Sequence, residues 1–538
     1  MSLWRAVLVS IAVLLGTVVA DTTYDAIVVG AGPAGIIVAE RLAEAGESVL
    51  LIERGGTSLY TSGGDRIEPW NDTITVFDLP GNGYQLSKLD DTSFFCTDTA
   101  STAGCILGGG GMVNAMMWVP PNSVDFENFP AGWNWEDVSA SADKLYERNP
   151  GTTCPSADGL YYDTAVWDLA STLLSNNEWI QSDAVAHWPD DKTNIYSHPP
   201  WNIKDSQRAG PVMTYLPLAK ALDNFKLKLS TLVTRIVRSG STITGVEVET
   251  DNGREIINVN DGGKVILTAG ALSTPRILFN SGIGPFDQIY VVQAGSTNIT
   301  LPDESEWIDL PVGEGIEDHI IFSVTVDSAT EFTVYNYTPI NSMEVNATDA
   351  ALYNEQGSGI LAQSAQRLAF WTTLDVNGAT RYIQGTVGPK SDSTLNWKIY
   401  LTHGLTSSGR LGILSNGTTT LLDSPWLTTE DDKTSITSFM ETFIGYFDNQ
   451  TVLSISADSV TAEGLTETYT TGSHWAASCA MGESNDGSSV VDTDTKVWGT
   501  DNLFIADASI HPDLPIGNIQ ATIMVVAEKA AEKILAYN

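Results

Sequence analysis

The chain holds only six histidines, and one of them, His474, lies in TTGSHWAASCAMG (471–483) beside Trp475 and Cys479, where no helical stripe runs. A neutral imidazole, with a reference pKa of about 6.5, is suited to taking a proton. Taken alone, His474 reads as a loop histidine making one hydrogen bond, so its meaning depends on what the rest of the chain brings to it. A second chemical signal is VVGAGPAG, with Gly30, Gly32 and Gly35 in G-x-G-x-x-G spacing. The first glycine permits a tight turn, the second lets backbone amides approach a pyrophosphate, and the third lets helix pack on strand. Glu53, ending the next strand, is expected on the ribose hydroxyls and disfavours a 2′-phosphate. CILGGGGMVNAMMW (105–118) adds four consecutive glycines, a second place where backbone must come close to something flat.

The elements that must position these residues are legible from periodicity. DAIVVG (25–30) is an unbroken apolar run, as a strand covered on both faces requires. AGPAGIIVAERLAEAG follows with Ile36, Ile37, Ala39, Leu42 and Ala43 at helical spacing and Gly46 as C-cap, and SVLLIE (48–53) is the next buried strand. Similar runs recur at KVILTAGA (264–271) and NLFIADASI (502–510), the latter followed by a Pro/Gly turn and the helical run IQATIMVVAEKAAEKILAY. The expected architecture is α/β. A Rossmann-like nucleotide-binding domain is assembled from 21–120, 221–285 and 466–538. A second, α+β domain on an antiparallel sheet is built from 121–220 and 286–465.

Bulk properties narrow the class. Lys and Arg number 27 against 66 Asp and Glu, a formal net charge of −39. Such a surface repels phosphates and anionic lipids, which excludes nucleic-acid and membrane-surface partners. Arg5, the apolar run from Ala6 to Val19 and the small residues Val18-Val19-Ala20 read as a secretory signal over residues 1–20, cleaved before Asp21. No later segment approaches eighteen uninterrupted apolar residues, so a secreted, soluble monomer is expected. Sequons at Asn71, Asn298, Asn336, Asn346, Asn416 and Asn449 agree with that compartment. Four cysteines in a secreted chain suggest two disulfides: Cys96 with Cys105 across a short loop, and by elimination Cys154 with Cys479. No spacing of cysteines and histidines suggests a metal.

Beyond the glycine motif, GALSTPRILFNSGIG (270–284), LPVGEGIEDH (310–319) and DASIHPDLPIGNIQATIMVVAEKAAEKI (507–534) resemble the glucose–methanol–choline (GMC) family of flavoprotein oxidoreductases. YDAIVVGAGPAGIIVAERLAEAG, the Cys96–Cys105 loop, RAGPVMTYL (208–216), TRYIQGTV (380–387) and SHWAAS (473–478) most resemble the flavodehydrogenase part of cellobiose dehydrogenases. The resemblance implies FAD, held without a covalent bond, since Val113 stands where some members carry an attaching histidine. It puts His474 and Asn518 together over the flavin, His474 as proton acceptor and Asn518 as donor to the substrate oxygen. Asn518 is expected to cap the last helix as well. By the same resemblance Gly109, Gly110, Asn114, Val233 and Asp507 contact the cofactor. His319 belongs near it or serves a structural role, and His511 is a turn residue.

The resemblance further implies oxidation of the anomeric hydroxyl of a β-linked disaccharide or oligosaccharide to a lactone. With no room for a haem domain, electrons are expected to pass to a diffusible quinone or an external redox protein. The sugar pattern departs at Gly388, where the resembled enzymes place an arginine (Lys390 is nearby), and at Gly472-Ser473 before the histidine. The alternatives are an oxygen-using oxidase of glucose or aryl alcohols, a hydroxynitrile-lyase-like flavoprotein, and a non-catalytic carbohydrate binder.

Overall fold

The computed structural model describes residues 23–183, 190–456 and 460–537. The expected signal segment lies outside the described residues. Strands Tyr24–Val29, Val49–Ile52 and Phe225–Lys228 run parallel, and Gly253–Leu267 and Leu503–Ile505 continue the parallel set on the other side of Tyr24–Val29. Their apolar runs are continuous because helices cover the sheet. Ala26 to Val28 and Val265 to Leu267 have no exposed surface. Strands Leu232–Ser239 and Thr242–Thr250 extend the sheet as an antiparallel meander onto the first half of Gly253–Leu267. Helix Pro33–Glu44 starts with Pro33 in its first turn and is followed by Gly46 at φ 99°, a left-handed position that glycine adopts without strain. It packs on the last helix, Gln520–Ala536, which is buried along most of its length.

A second sheet has the order Leu453–Ile455, Ile320–Ser328, Thr394–Leu401, Ala379–Ser391, Leu368–Val376, Ile195–Ser197, Ile180–Gln181, with Tyr469–Thr471 also pairing Ile320–Ser328. Its long strands are antiparallel. Side chains alternate across it. Leu395, Trp397, Ile399 and Leu401 join Ile383, Val387, Phe322 and Val324 in a core roofed by helices Ala165–Asn176 and Glu430–Gly445. The intervening Lys398 and Tyr400, with Gln384 and Ile321 opposite Tyr400, face the other way, toward the first sheet.

Two expectations need correction. Residues 121–150 and 211–220, assigned to the second domain, pack into the first core. Val138, Ala142 and Leu145 form one stripe of helix Trp135–Arg148, which docks on Gln520–Ala536, and Tyr215, Leu216 and Ala219 join the same cluster. The disulfide Cys96–Cys105 is present, but Cys154 and Cys479 are both free thiols. Cys479 is sealed in the first core with its N–H donating to the Ser509 carbonyl at 2.8 Å, while half-buried Cys154 sits two residues from the Thr152–Trp201 bridge. Each packs in its own surroundings rather than facing the other. Among the described residues no helix is long and apolar enough to cross a membrane.

Candidate active site

A cavity of about 740 Å3 runs from the carboxyl ends of the parallel strands to the inner face of the second sheet, the position where open α/β sheets bind ligands. Gly30, Gly32, Glu53, Gly109, Gly110, Val113, Asn114, Val233, Asp507, His474 and Asn518 all line it. Gly35 does not. Its role is packing, because a Cβ there would lie 1.9 Å from the Gly30 carbonyl oxygen and 2.6 Å from Thr268 Oγ1.

At the glycine end the backbone is bare toward the cavity. A Cβ on Gly32 would meet nothing nearer than 4.0 Å, and one on Gly110 nothing at all within 4 Å, so both would project into ligand space. The two glycine turns also touch each other, with Gly109 positioned so that a Cβ would come 3.0 Å from Gly32 Cα. Glu53 is buried and accepts from the Ala31 N–H at 2.9 Å and the Gly55 N–H at 2.8 Å, and burial pushes its carboxyl up. It therefore ties the glycine turn to the strand end as well as bordering the cavity. Asn114 is fixed from both sides: its Oδ1 accepts from the Met116 N–H at 3.0 Å and Arg208 Nη1 at 2.9 Å, and its Nδ2 donates to Gln520 Oε1 at 3.1 Å. Asp507 accepts from the Gly270 N–H, Thr274 Oγ1, the Ser509 N–H and Ser509 Oγ, all between 2.6 and 2.9 Å. It pins the turn before helix Thr274–Phe279, with both oxygens satisfied inside the protein. An elongated cavity walled by two glycine turns and a helix N-terminus fits a dinucleotide such as FAD. Val113 borders it with a side chain that has no atom able to bond covalently to a flavin.

At the other end, His474 is partly exposed, toward the cavity it lines. Its loop is held by Asp318. Oδ1 accepts from the His474 N–H at 2.6 Å, while Oδ2 accepts from Thr471 Oγ1 at 2.6 Å, the Gly472 N–H at 3.1 Å and Trp426 Nε1 at 3.2 Å. Burial pushes the Asp318 carboxyl up to about 6. His474 Nδ1 lies 2.9 Å from His319 Nδ1, and His319 Nε2 lies 3.0 Å from the Pro515 carbonyl oxygen. These contacts assign the protons. A carbonyl oxygen only accepts, so His319 carries its proton on Nε2. Neutral His319 then has an accepting Nδ1, and His474 must donate from its own Nδ1. The lone pair of His474 is thereby left on Nε2, on the cavity side. Burial lowers both imidazoles, His474 to about 4, which keeps them neutral.

Nε2 of His474 accepts from Asn518 Nδ2 at 3.1 Å. The Asn518 amide is oriented by Gln384, whose Nε2 donates to Asn518 Oδ1 at 2.7 Å and whose Oε1 accepts the Asn518 N–H at 3.1 Å. Asn518 does not cap the last helix, which begins at Gln520 after Ile519 with no side-chain cap. The strand residue opposite it claims the amide instead. Tyr400 completes the wall, its ring 6.3 Å from His474 and inclined 21°.

Several functional side chains escaped sequence reasoning. Gln384 lay in the quoted TRYIQGTV stretch without a role, and Asp318 stood beside His319 in the EDH motif. His511 is fully buried against Phe129, with neither ring nitrogen partnered among the described residues, and lies away from the cavity lining. Lys390 donates to Thr325 Oγ1 at 2.7 Å and does not line the cavity either.

Comparison with known proteins agrees with this geometry. The chain is 25% identical over 550 residues to an oxygen-dependent choline dehydrogenase of Pectobacterium atrosepticum, covering 95% of this chain and 94% of that one. It is 25% identical over 600 residues to a patulin synthase of Aspergillus clavatus, covering 95% and 91%. An FAD-dependent oxidoreductase from Chaetomium thermophilum shares the fold with a TM-score of 0.73 at 19% identity, over 95% of this chain and 99% of that one. The two sequence profiles of GMC oxidoreductases match residues 24–321 and 406–527, so the chain belongs to the GMC oxidoreductase family, with FAD as its cofactor.

Proposed function

We propose that this GMC oxidoreductase is a secreted sugar dehydrogenase. It oxidises the anomeric hydroxyl of a β-linked disaccharide or oligosaccharide to a lactone, with non-covalent FAD and a quinone or external redox protein as acceptor. The observation that carries the chemistry is the 3.1 Å contact of His474 Nε2 with Asn518 Nδ2 at the cavity wall. FAD, when bound, supplies the two-electron acceptor that takes the hydride from the alcohol carbon. The chain supplies the proton side. His474 Nε2, unprotonated because of His319, accepts the hydroxyl proton, a contribution of typically ~10²–10⁴ in rate. Asn518 Nδ2, on the cavity wall, offers an N–H to the substrate oxygen, and the Gln384 pair keeps its amide from flipping. Among the described residues the hydrogen-bonded route behind His474 runs through His319 to the Pro515 carbonyl oxygen, which cannot pass a proton on, so the proton leaves through the cavity.

The lining near His474 supports a polyhydroxy substrate. Tyr84, Gln366 and Tyr400 offer neutral polar groups, and burial pushes both phenols up to about 12. Among the described residues, the carboxylates bordering the cavity are Glu53 and Asp507, both engaged at its glycine end. A quaternary ammonium substrate would find no counter-charge. Secretion is supported by five of the six sequon asparagines being exposed, while Asn71 is half-buried and donates to Asn354 at 2.7 Å. An anaerobic screen of cellobiose, glucose, choline and an aryl alcohol, following flavin absorbance, tests the reading. Fastest bleaching by the disaccharide is expected, and bleaching by choline or aryl alcohol alone would overturn it.

A further inference from the structure

We infer that the substrate carries a carboxylate, bound by Lys398 in the same cavity. The inference deepens the sugar-oxidising reading and rests on it. Lys398 and Tyr400 are two residues apart on strand Thr394–Leu401 and project to the same face, about 7 Å apart along the strand. Both line the cavity, and Tyr400 stands against His474. The ammonium of Lys398 lies 4.7 Å from the centroid of the Tyr84 ring and has no ion-pair partner among the described residues.

In a chain with 66 acidic residues and 27 basic ones, a half-buried lysine without a carboxylate needs explaining. A surface lysine is solvated and needs no partner. This one is partly withdrawn from water and packed over an aromatic face, which holds the charge in place without neutralising it. Tyr84 is itself held, its hydroxyl accepting from Gln366 Nε2 at 2.9 Å, and Trp201 Nε1 donates to Gln366 Oε1 at 3.2 Å. The ammonium therefore stands on a braced platform in the lining, and the strand spacing puts it about one sugar residue from the His474 end. A uronic or aldonic acid unit matches that charge and spacing.

The test uses the FAD-loaded protein and methyl β-glucuronide, whose blocked anomeric oxygen prevents oxidation there, against its methyl ester, which differs only in charge. Calorimetric titration should show the acid binding at least about tenfold more tightly than the ester, as a charge-assisted contact implies. Lys398→Met, which keeps the stem on Tyr84, should abolish that preference, and Lys398→Arg should restore part of it. Equal binding of acid and ester, no binding of either, or a preference that survives in Lys398→Met would overturn the inference. Acetate displacing the glucuronide with equal affinity would do so too, because it would identify a small-anion site. The sugar-oxidising reading fails separately: its failure is the absence of flavin bleaching by any sugar while the acid preference persists.

Discussion

The proposed role of His474 as a base rests on its neighbours. Its Nδ1 proton is committed to His319, whose own proton is committed to Pro515, so the free lone pair is fixed on the substrate side. His319→Ala should leave the imidazole of His474 free to adopt the other tautomer or turn. The rate of flavin reduction should then fall about 10–100-fold at unchanged FAD content. His319→Gln, whose side-chain oxygen can accept the same proton, should recover part of the loss. Stopped-flow absorbance on both variants checks this, and equal rates in wild type and His319→Ala would refute the tautomer assignment. The low His474 pKa, about 4, has a defined sign. Folded protein resists protonating this ring, so the stability linked to it is complete above the unfolded value of about 6.5 and is lost as pH falls toward 4. Glu68 runs the opposite way. It is buried with its Oε1 accepting from Asn82 Nδ2 at 2.7 Å, and burial raises it to about 7. Its stabilising effect is present below pH 4.5 and lost as pH rises through 7. Glu68→Gln should therefore match wild type in acid and exceed it at pH 8, by at most about 3.4 kcal/mol for a rise from 4.5 to about 7. Denaturant unfolding at pH 4.5 and 8 measures the difference, and parallel pH curves would contradict it.

At the scale of elements, the two motif glycines Gly32 and Gly35 separate binding from folding. Gly35→Ala sets a methyl against backbone and should not yield stable protein. Gly32→Ala meets no atom within 3.4 Å and should fold with normal circular dichroism while retaining little FAD. Comparable FAD content in Gly32→Ala and wild type would exclude the cradle at that position. The same elements explain what was readable in advance. Parallel strands covered on both faces are unbroken apolar runs, so DAIVVG, SVLLIE, KVILTAGA and NLFIADASI were legible, as was the apolar last helix. The helix Trp135–Arg148 was placed in the wrong domain because an apolar stripe names no partner, and its own is almost four hundred residues away. Gln384 and Lys398 were opaque for a related reason. A polar residue alternating with apolar ones in a strand normally faces water, and only the opposing sheet turns that face into a cavity wall. The pairing of Cys154 with Cys479 assumed that thiols in an oxidising compartment find each other, whereas each is packed in separate surroundings.

For the whole molecule, the net charge of −39 acts on whatever approaches the cavity. Anionic acceptors are repelled at long range, and salt confines the effect to within a Debye length, about 8–10 Å at physiological ionic strength. Reoxidation by benzoquinone should outpace ferricyanide at low salt, and the gap should narrow when salt is added. A salt-independent ratio would show that the surface field does not reach the acceptor's path. Oxygen should be slower than either, and reoxidation by air as fast as by quinone would make the enzyme an oxidase.

The central claim is that His474 takes the proton when the bound alcohol is oxidised, and single-turnover flavin reduction in His474→Ala tests it most directly. FAD should remain bound, and the anaerobic reduction rate should fall at least ~10²-fold across the pH range, with Asn518→Ala losing less. A His474→Ala protein that keeps its FAD and reduces it at near the wild-type rate would contradict the account.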